Sequence, residues 1–192
     1  MNRVPLTFLL IGINFLIFFL QFVFPGILNF AFVPATAFER PYTFVTSMFL
    51  HADFKHIFFN MFALFFFGLY LERRVTPLQY LSIYFISGIA GNFGYIFTAG
   101  NPYTPGIGAS GAVYGILGAL ALLDPFAAVY FYGSIPMPMI FAASIYAVIE
   151  FFGLFVPSGI AHGAHLGGLF VGAILGMYLK KFYTKRNRTI RL

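Results

Sequence analysis

Six hydrophobic stretches, at about residues 6–24, 54–71, 78–97, 109–123, 136–156 and 161–181, occupy most of this chain. A helix crossing the hydrocarbon core of a bilayer needs about 17–25 largely apolar residues, and most of the stretches reach that length. Hydrophobic residues make up 60% of the 192 positions and charged residues only 8%. A soluble domain carries roughly 25% charged residues, so this chain could not cover its surface with charge, and the bilayer becomes its solvent. The expected fold is all-α: a polytopic bundle of six transmembrane helices in one domain over residues 1–192. The first stretch is longer than the roughly 7–15 apolar residues of a signal core, and Phe24-Pro25-Gly26 is no small-residue cleavage site. It reads as a retained helix.

Charge gives the orientation. Lys and Arg total eleven against five Asp and Glu. Their placement argues against nucleic acid as a partner: Lys180, Lys181, Lys185, Arg186, Arg188 and Arg191 form a basic tail at about 180–192, directly after a hydrophobic run. Such clusters flank membranes. Six crossings put both termini on one side, together with Arg3, Arg73 and Arg74, while the other side receives only Arg40 and Lys55. The positive-inside rule then makes the termini cytoplasmic, in an integral, multi-pass protein of the cell membrane. Without tryptophan, Tyr and Phe serve as interfacial anchors. The connection at about 25–53 is long, apolar and broken by Pro25, Pro34 and Pro41. It is expected to lie in the outer interface, partly embedded. With no cysteine, disulfides, thiolate nucleophiles and cysteine-ligated metals are excluded.

Polar groups at membrane depth are costly, and by default they mark function. His56 and Asn60 begin the second stretch and share a helical face. Ser110 begins the fourth, with Tyr114 one turn on. His162 and His165 begin the sixth. These three stretches run from outside to inside, so all the groups sit near one level. Asp124-Pro125 ends the fourth stretch. Ser110 lies 14 residues earlier, roughly 21 Å at about 1.5 Å per residue, which places it about 9 Å below the outer edge of a core about 30 Å thick. The preceding loop must dip inwards, and irregular backbone is tolerated at depth only when buried in protein or lining a water-filled cavity.

Glycines follow the polar groups at helical spacing: Gly111, Gly115 and Gly118 after Ser110, and Gly168, Gly172 and Gly176 after His165. Small residues so spaced let helices approach closely. Packing these two parallel helices together carries Ser110 towards His165, an arrangement that suits a serine activated by a histidine base. Taken singly, a glycine stripe is packing, a serine backbone-bonded filler and a histidine an interhelical donor. Their coincidence at one depth favours chemistry. Of the acids, Glu72 and Asp124 lie at the cytoplasmic end and Glu39 and Asp53 in the outer loop. Glu150 is in the outer half of the fifth stretch with no partner fixed. The simplest arrangement is a Ser–His dyad with no orienting acid, with Tyr114 packed on the imidazole. His56 and Asn60, with the Ser110 amide, are candidate oxyanion donors.

Four stretches resemble the rhomboid intramembrane serine proteases: GASG at 108–111 with Tyr114, AHLGGLFVG at 164–172, HIFFN at 56–60, and the run TSMFLHADFKHIFFNMFALFFFG at 46–68. The resemblance implies a six-helix core that cleaves transmembrane protein substrates near the outer membrane face, without metal, other cofactor or ATP. It implies Ser110 as nucleophile, His165 as general base, and His56, Asn60 and the Ser110 amide as the oxyanion site, with Gly108 permitting the tight entry into the fourth helix. Glu39-Arg40 stands where the family often has Trp-Arg. His51 is expected to be a structural hydrogen bonder and His162 secondary. Three other readings compete. A catalytically inactive relative that binds membrane clients should lack the nucleophile or base. A transporter or channel should be polar through the whole depth of several helices. A metal or haem site on His51, His56, His162 and His165 lacks an evident carboxylate ligand, although His162 and His165 are spaced as co-ligands. The fifth stretch, with Pro136, Pro138 and Gly153, is a candidate movable wall for substrate entry.

Overall fold

The computed structural model describes residues 4–131 and 135–189, with side chains described as far as residue 181 apart from Phe131. The tail positions Lys185, Arg186 and Arg188 therefore lie outside the described side chains, and Arg3 and Arg191 outside the described residues. Six long helices dominate: α1 (Leu6–Val23), α2 (Phe54–Glu72), α3 (Pro77–Thr98), α4 (Ser110–Leu123), α5 (Met139–Gly153) and α6 (His162–Thr189). Helices α1, α2 and α3, and α6 as far as Lys181, are long and apolar enough to cross a membrane, while α4 and α5 are shorter apolar helices. The chain is a polytopic helical membrane bundle.

Local signals set the helix ends. Asp53 Oδ1 accepts the His56 amide at 2.7 Å and starts α2. Thr76 and Gln79 form a reciprocal capping box at α3, with Pro77 in its first turn. Within α2, Leu64–Gly68 is wound as a π-type turn. Pro136 and Pro138 lack the N–H that a helix interior needs, so the fifth helix starts only at Met139. The residues before it form β2 (Ile135–Pro138), antiparallel to β1 (Ala128–Phe131). This hairpin is an addition to the expected all-α bundle. It also removes both prolines from α5, so they cannot weaken that helix as a wall.

Helix α4 is the axis of the bundle, with every residue from Gly111 to Ala121 buried except Tyr114. Its 14 residues span only about 21 Å. That is sufficient because protein surrounds it rather than lipid. It packs most extensively on α6, and the glycines make that contact possible. A Cβ at Gly168 would collide with the Gly111 carbonyl, and one at Gly172 with the Gly115 carbonyl. Backbone lies on backbone along this seam.

The long connection is folded. It holds short turns and a small helix at Thr43–Thr46, and buries Phe32, Ala37, Phe44, Met48 and Leu50. Phe32 and Gly106 exchange main-chain hydrogen bonds of 3.0 and 2.7 Å, which tie it to the loop before α4. Asn92 of α3 donates to the Phe44 carbonyl at 2.9 Å. Arg40 is half-buried, donating to Tyr42 Oη at 2.8 Å and to the Asn29 carbonyl. At the opposite end, Glu72 accepts the Leu6 and Thr7 amides and the Thr7 hydroxyl, capping α1. A 360 Å³ cavity at that end is lined by Val4, Leu6, Glu72 and Pro77 among others. It is remote from the polar cluster described next.

Candidate active site

Ser110 is the first residue of α4, and the entry before it is tight. Gly108 has φ +123°, a conformation that side chains rarely tolerate, and its amide donates to the Ser47 carbonyl at 2.9 Å. A Cβ there would lie 2.7 Å from His56 Nε2 and 3.8 Å from Ser110 Oγ. The missing side chain therefore leaves an open space flanked by both groups. Ser110 itself is only half-buried.

His165 comes from the first turn of α6. Its Nε2 lies 2.8 Å from Ser110 Oγ. Tyr114, one turn below the serine, stacks on the imidazole with centroids 4.4 Å apart and planes 7° from parallel. The fold thus brings together Ser110 and His165, to which the glycine ladders pointed, and Tyr114, expected from its one-turn spacing.

The two donors on α2 are placed differently. His56 Nδ1 accepts the Ala52 amide at 3.4 Å. That leaves the ring proton on Nε2, the nitrogen beside Gly108. Asn60 is buried and donates one amide hydrogen to the His56 carbonyl at 2.9 Å, which leaves the other. His51 is fully buried with its ring 5.1 Å from that of His56. Its main chain exchanges hydrogen bonds with the Gln21 side chain at 2.9 and 3.1 Å. These main-chain bonds tie His51 to α1. Burial, reinforced by neighbouring His56, lowers the His51 pKa to about 3 and keeps the ring neutral.

The sequence reading expected no acid at the site, and the fold supplies one. Glu150 of α5 is 5% exposed. Tyr114 Oη donates to its Oε1, and His162 Nδ1 lies 2.5 Å from its Oε2. Its Oε1 is also 3.0 Å from His165 Nδ1. That last approach has the distance of an ion pair but not the direction of a hydrogen bond. His162 Nε2 in turn meets Ser158 Oγ at 2.7 Å. A Cβ at Gly153 would strike the His162 ring, so glycine there lets α6 close over α5. The ligand-capable atoms of Glu150, His162 and His165 lie within 4.8 Å of one another, a possible metal set. Both carboxylate oxygens already face donors, so the cluster is closed as a hydrogen-bond network. Glu150 was flagged in the sequence as a costly buried acid. The missed signal was the hairpin: Glu150 is three residues from the end of α5 and His162 begins α6, so a short connection sets them side by side.

A hydroxyl in line with an imidazole, a neighbouring carboxylate, and N–H donors around a small open space are the parts of an acyl-transfer site. Comparison with known proteins bears on the family. The Rhomboid domain profile matches residues 39–182. The chain is 35% identical over 131 residues to the putative rhomboid protease YdcA of Bacillus subtilis, covering 68% of this chain and 63% of that protein. It is 28% identical over 207 residues to the rhomboid protease AarA of Providencia stuartii, covering 92% of this chain and 73% of that one. A shorter match, 37% over 76 residues, covers 40% of this chain and 21% of Inactive RHOMBOID-like protein 8 of Arabidopsis thaliana. The chain spans about half to two-thirds of the length of the first of its relatives. Profile, helical bundle and motif order agree, and the chain belongs to the rhomboid family.

Proposed function

We propose that this protein is an intramembrane serine endopeptidase that cleaves transmembrane protein substrates near the outer face of a cell membrane, with both termini cytoplasmic and residues 1–192 acting as one catalytic unit. The observation that carries the reading is the 2.8 Å contact between Ser110 Oγ and His165 Nε2. At that distance the imidazole can take the hydroxyl proton as Oγ bonds to the scissile carbonyl carbon. The carbonyl oxygen becomes an oxyanion in the space over Gly108, where the Ser110 amide, His56 Nε2–H and the second Asn60 amide hydrogen are the available donors. The C–N bond then breaks, His165 returns its proton to the leaving amine, and the peptide remains esterified to Ser110. Water, deprotonated by the same imidazole, releases it. Half-exposure of Ser110 fits the need for that water.

Family membership alone does not decide activity, since one relative is named inactive. A client-binding role needs no aligned hydroxyl and imidazole, and none of its requirements is met better here than those of hydrolysis. The test is cleavage of a reporter transmembrane protein in proteoliposomes. Ser110→Ala is expected to abolish it, with helicity and thermal midpoint preserved. Undiminished cleavage by Ser110→Ala would remove the assignment.

A further inference from the structure

We propose that Glu150 is a positioning residue for His165, so that the site operates as a relay of Ser110, His165 and Glu150 whose outer end is held by His162 and Ser158. The inference rests on Ser110 being the nucleophile. It adds an acid to the expected dyad, and that acid comes from a third helix.

Proton accounting supports it. For His165 Nε2 to accept the Ser110 proton, its lone pair must face Oγ, so the neutral ring carries its hydrogen on Nδ1. That nitrogen is the one 3.0 Å from Glu150 Oε1. An ionised carboxylate only accepts, and every neighbour of Glu150 has a proton to give. Tyr114 Oη–H donates to Oε1. His162 Nδ1–H points to Oε2 at 2.5 Å, which leaves the His162 lone pair on Nε2 to accept the Ser158 hydroxyl at 2.7 Å. One tautomer of each histidine gives every contact from Ser158 to Ser110 a proton on one side and a lone pair on the other, the His165–Glu150 approach alone being off the hydrogen-bond axis.

The relay has work to do when the serine attacks. The Oγ–H bond breaks, Oγ–C forms, and the proton moves to Nε2, so His165 becomes an imidazolium with both nitrogens protonated. Its charge then lies beside a carboxylate whose side chain is only 7% exposed, where screening by water is weak. The proton on Nδ1 stays on the ring: the carboxylate orients and stabilises without taking it. The off-axis approach of Oε1 in the resting protein is the ordinary condition of a substrate-free site, where such bonds tighten only in the working complex. Ser110 is on α4, His165 on α6 and Glu150 on α5, and α5 packs against the other two far more sparsely than they pack on each other. Full activity therefore requires α5 to be docked.

The test uses the full chain with three measurements: kcat and KM on the transmembrane reporter for E150Q and E150D, thermal midpoints of each, and the tautomer of His165 in the unsubstituted protein by nitrogen-15 NMR of labelled histidine, assigned with His165→Gln. The relay predicts that E150Q lowers kcat at least tenfold with KM within about threefold, because ground-state binding does not use the imidazolium. E150D, which restores the charge with a shorter reach, recovers part of the loss. The His165 proton is predicted on Nδ1. Wild-type kcat in E150Q, or an Nε2–H tautomer of His165, overturns the proposal, and the tautomer reading stands whether or not E150Q folds. Failure of the protease reading looks different, since cleavage would then survive Ser110→Ala.

Discussion

Each end of the bundle holds a carboxylate that accepts a tyrosine hydroxyl, and the two differ in what else they face. At the end where α2 turns into α3, Asp124 takes Tyr70 Oη at 2.8 Å and is paired with Arg74, also at 2.8 Å. The Arg74 guanidinium lies 3.4 Å over the Tyr70 ring, and both charged side chains are about one-third exposed. At the end that holds Ser110, Glu150 takes Tyr114 but faces two histidines with side chains 11% and 12% exposed. A fixed cation beside water makes an anchor. Histidines screened from water make a group that responds when a proton moves. Under the proposed function, the same residue types serve fixation at one end and chemistry at the other.

The comparison can be broken at several points. Removing a donor from the cluster around Ser110 should cost the most. His56→Ala is expected to lower kcat by about 10²-fold, the usual cost of one oxyanion donor, with a smaller change in KM. A loss confined to KM would place His56 in substrate binding instead. Next is the seam that holds Ser110 against His165. Gly172→Leu forces a side chain into the Gly115 carbonyl, and overpacking of this kind costs about 1–3 kcal/mol. A fall in thermal midpoint together with lost cleavage is expected, and an unchanged midpoint would show that the helices separate more easily than the packing implies.

The third point is acid sensitivity. His51 is held neutral with a pKa of about 3 against an ordinary 6.5. The unfolded chain binds the proton first, so this residue's stabilisation is complete above pH 6.5 and is lost progressively as pH falls towards 3, by up to about 1.4 kcal/mol per unit. His51→Phe should flatten the decline in thermal midpoint over that window. An equal decline in the variant would assign it to other groups. The smallest effect belongs to the anchor. Hydrogen bonding from Tyr70, then Arg74, lowers the Asp124 pKa, so its contribution is present above the ordinary carboxylate range and fades as pH falls through the lowered value. As an exposed pair it is worth less than about 1 kcal/mol. Asp124→Asn should shift the midpoint slightly at neutral pH and leave cleavage within about twofold. A large loss of cleavage would erase the distinction between the two ends.

Much of this was legible before any coordinates. Helix positions followed from apolar run length, since lipid forbids most alternatives. The approach of Ser110 to His165 followed from two glycine ladders that begin at nearly the same distance below the two residues. Tyr114 followed from its spacing of one turn. What escaped were the features that depend on how short connections close. The hairpin before α5 hid behind two prolines in an apolar run. The partners of Glu150 became readable only once the end of α5 and the start of α6 were known to lie at the same level, because neighbours across a helix–helix connection leave no periodic trace. His51 was read as a structural hydrogen bonder with no partner named, because its partner Gln21 is distant in sequence.

The most direct measurement is to treat the purified protein in a bilayer with a fluorophosphonate and map the adduct by mass spectrometry. The account predicts a single covalent phosphonyl group on Ser110, formed by the folded wild type and absent from His165→Ala and from heat-unfolded protein. An adduct on another residue, or equal labelling of Ser110 without His165, would contradict the claim that this hydroxyl is made nucleophilic by that imidazole.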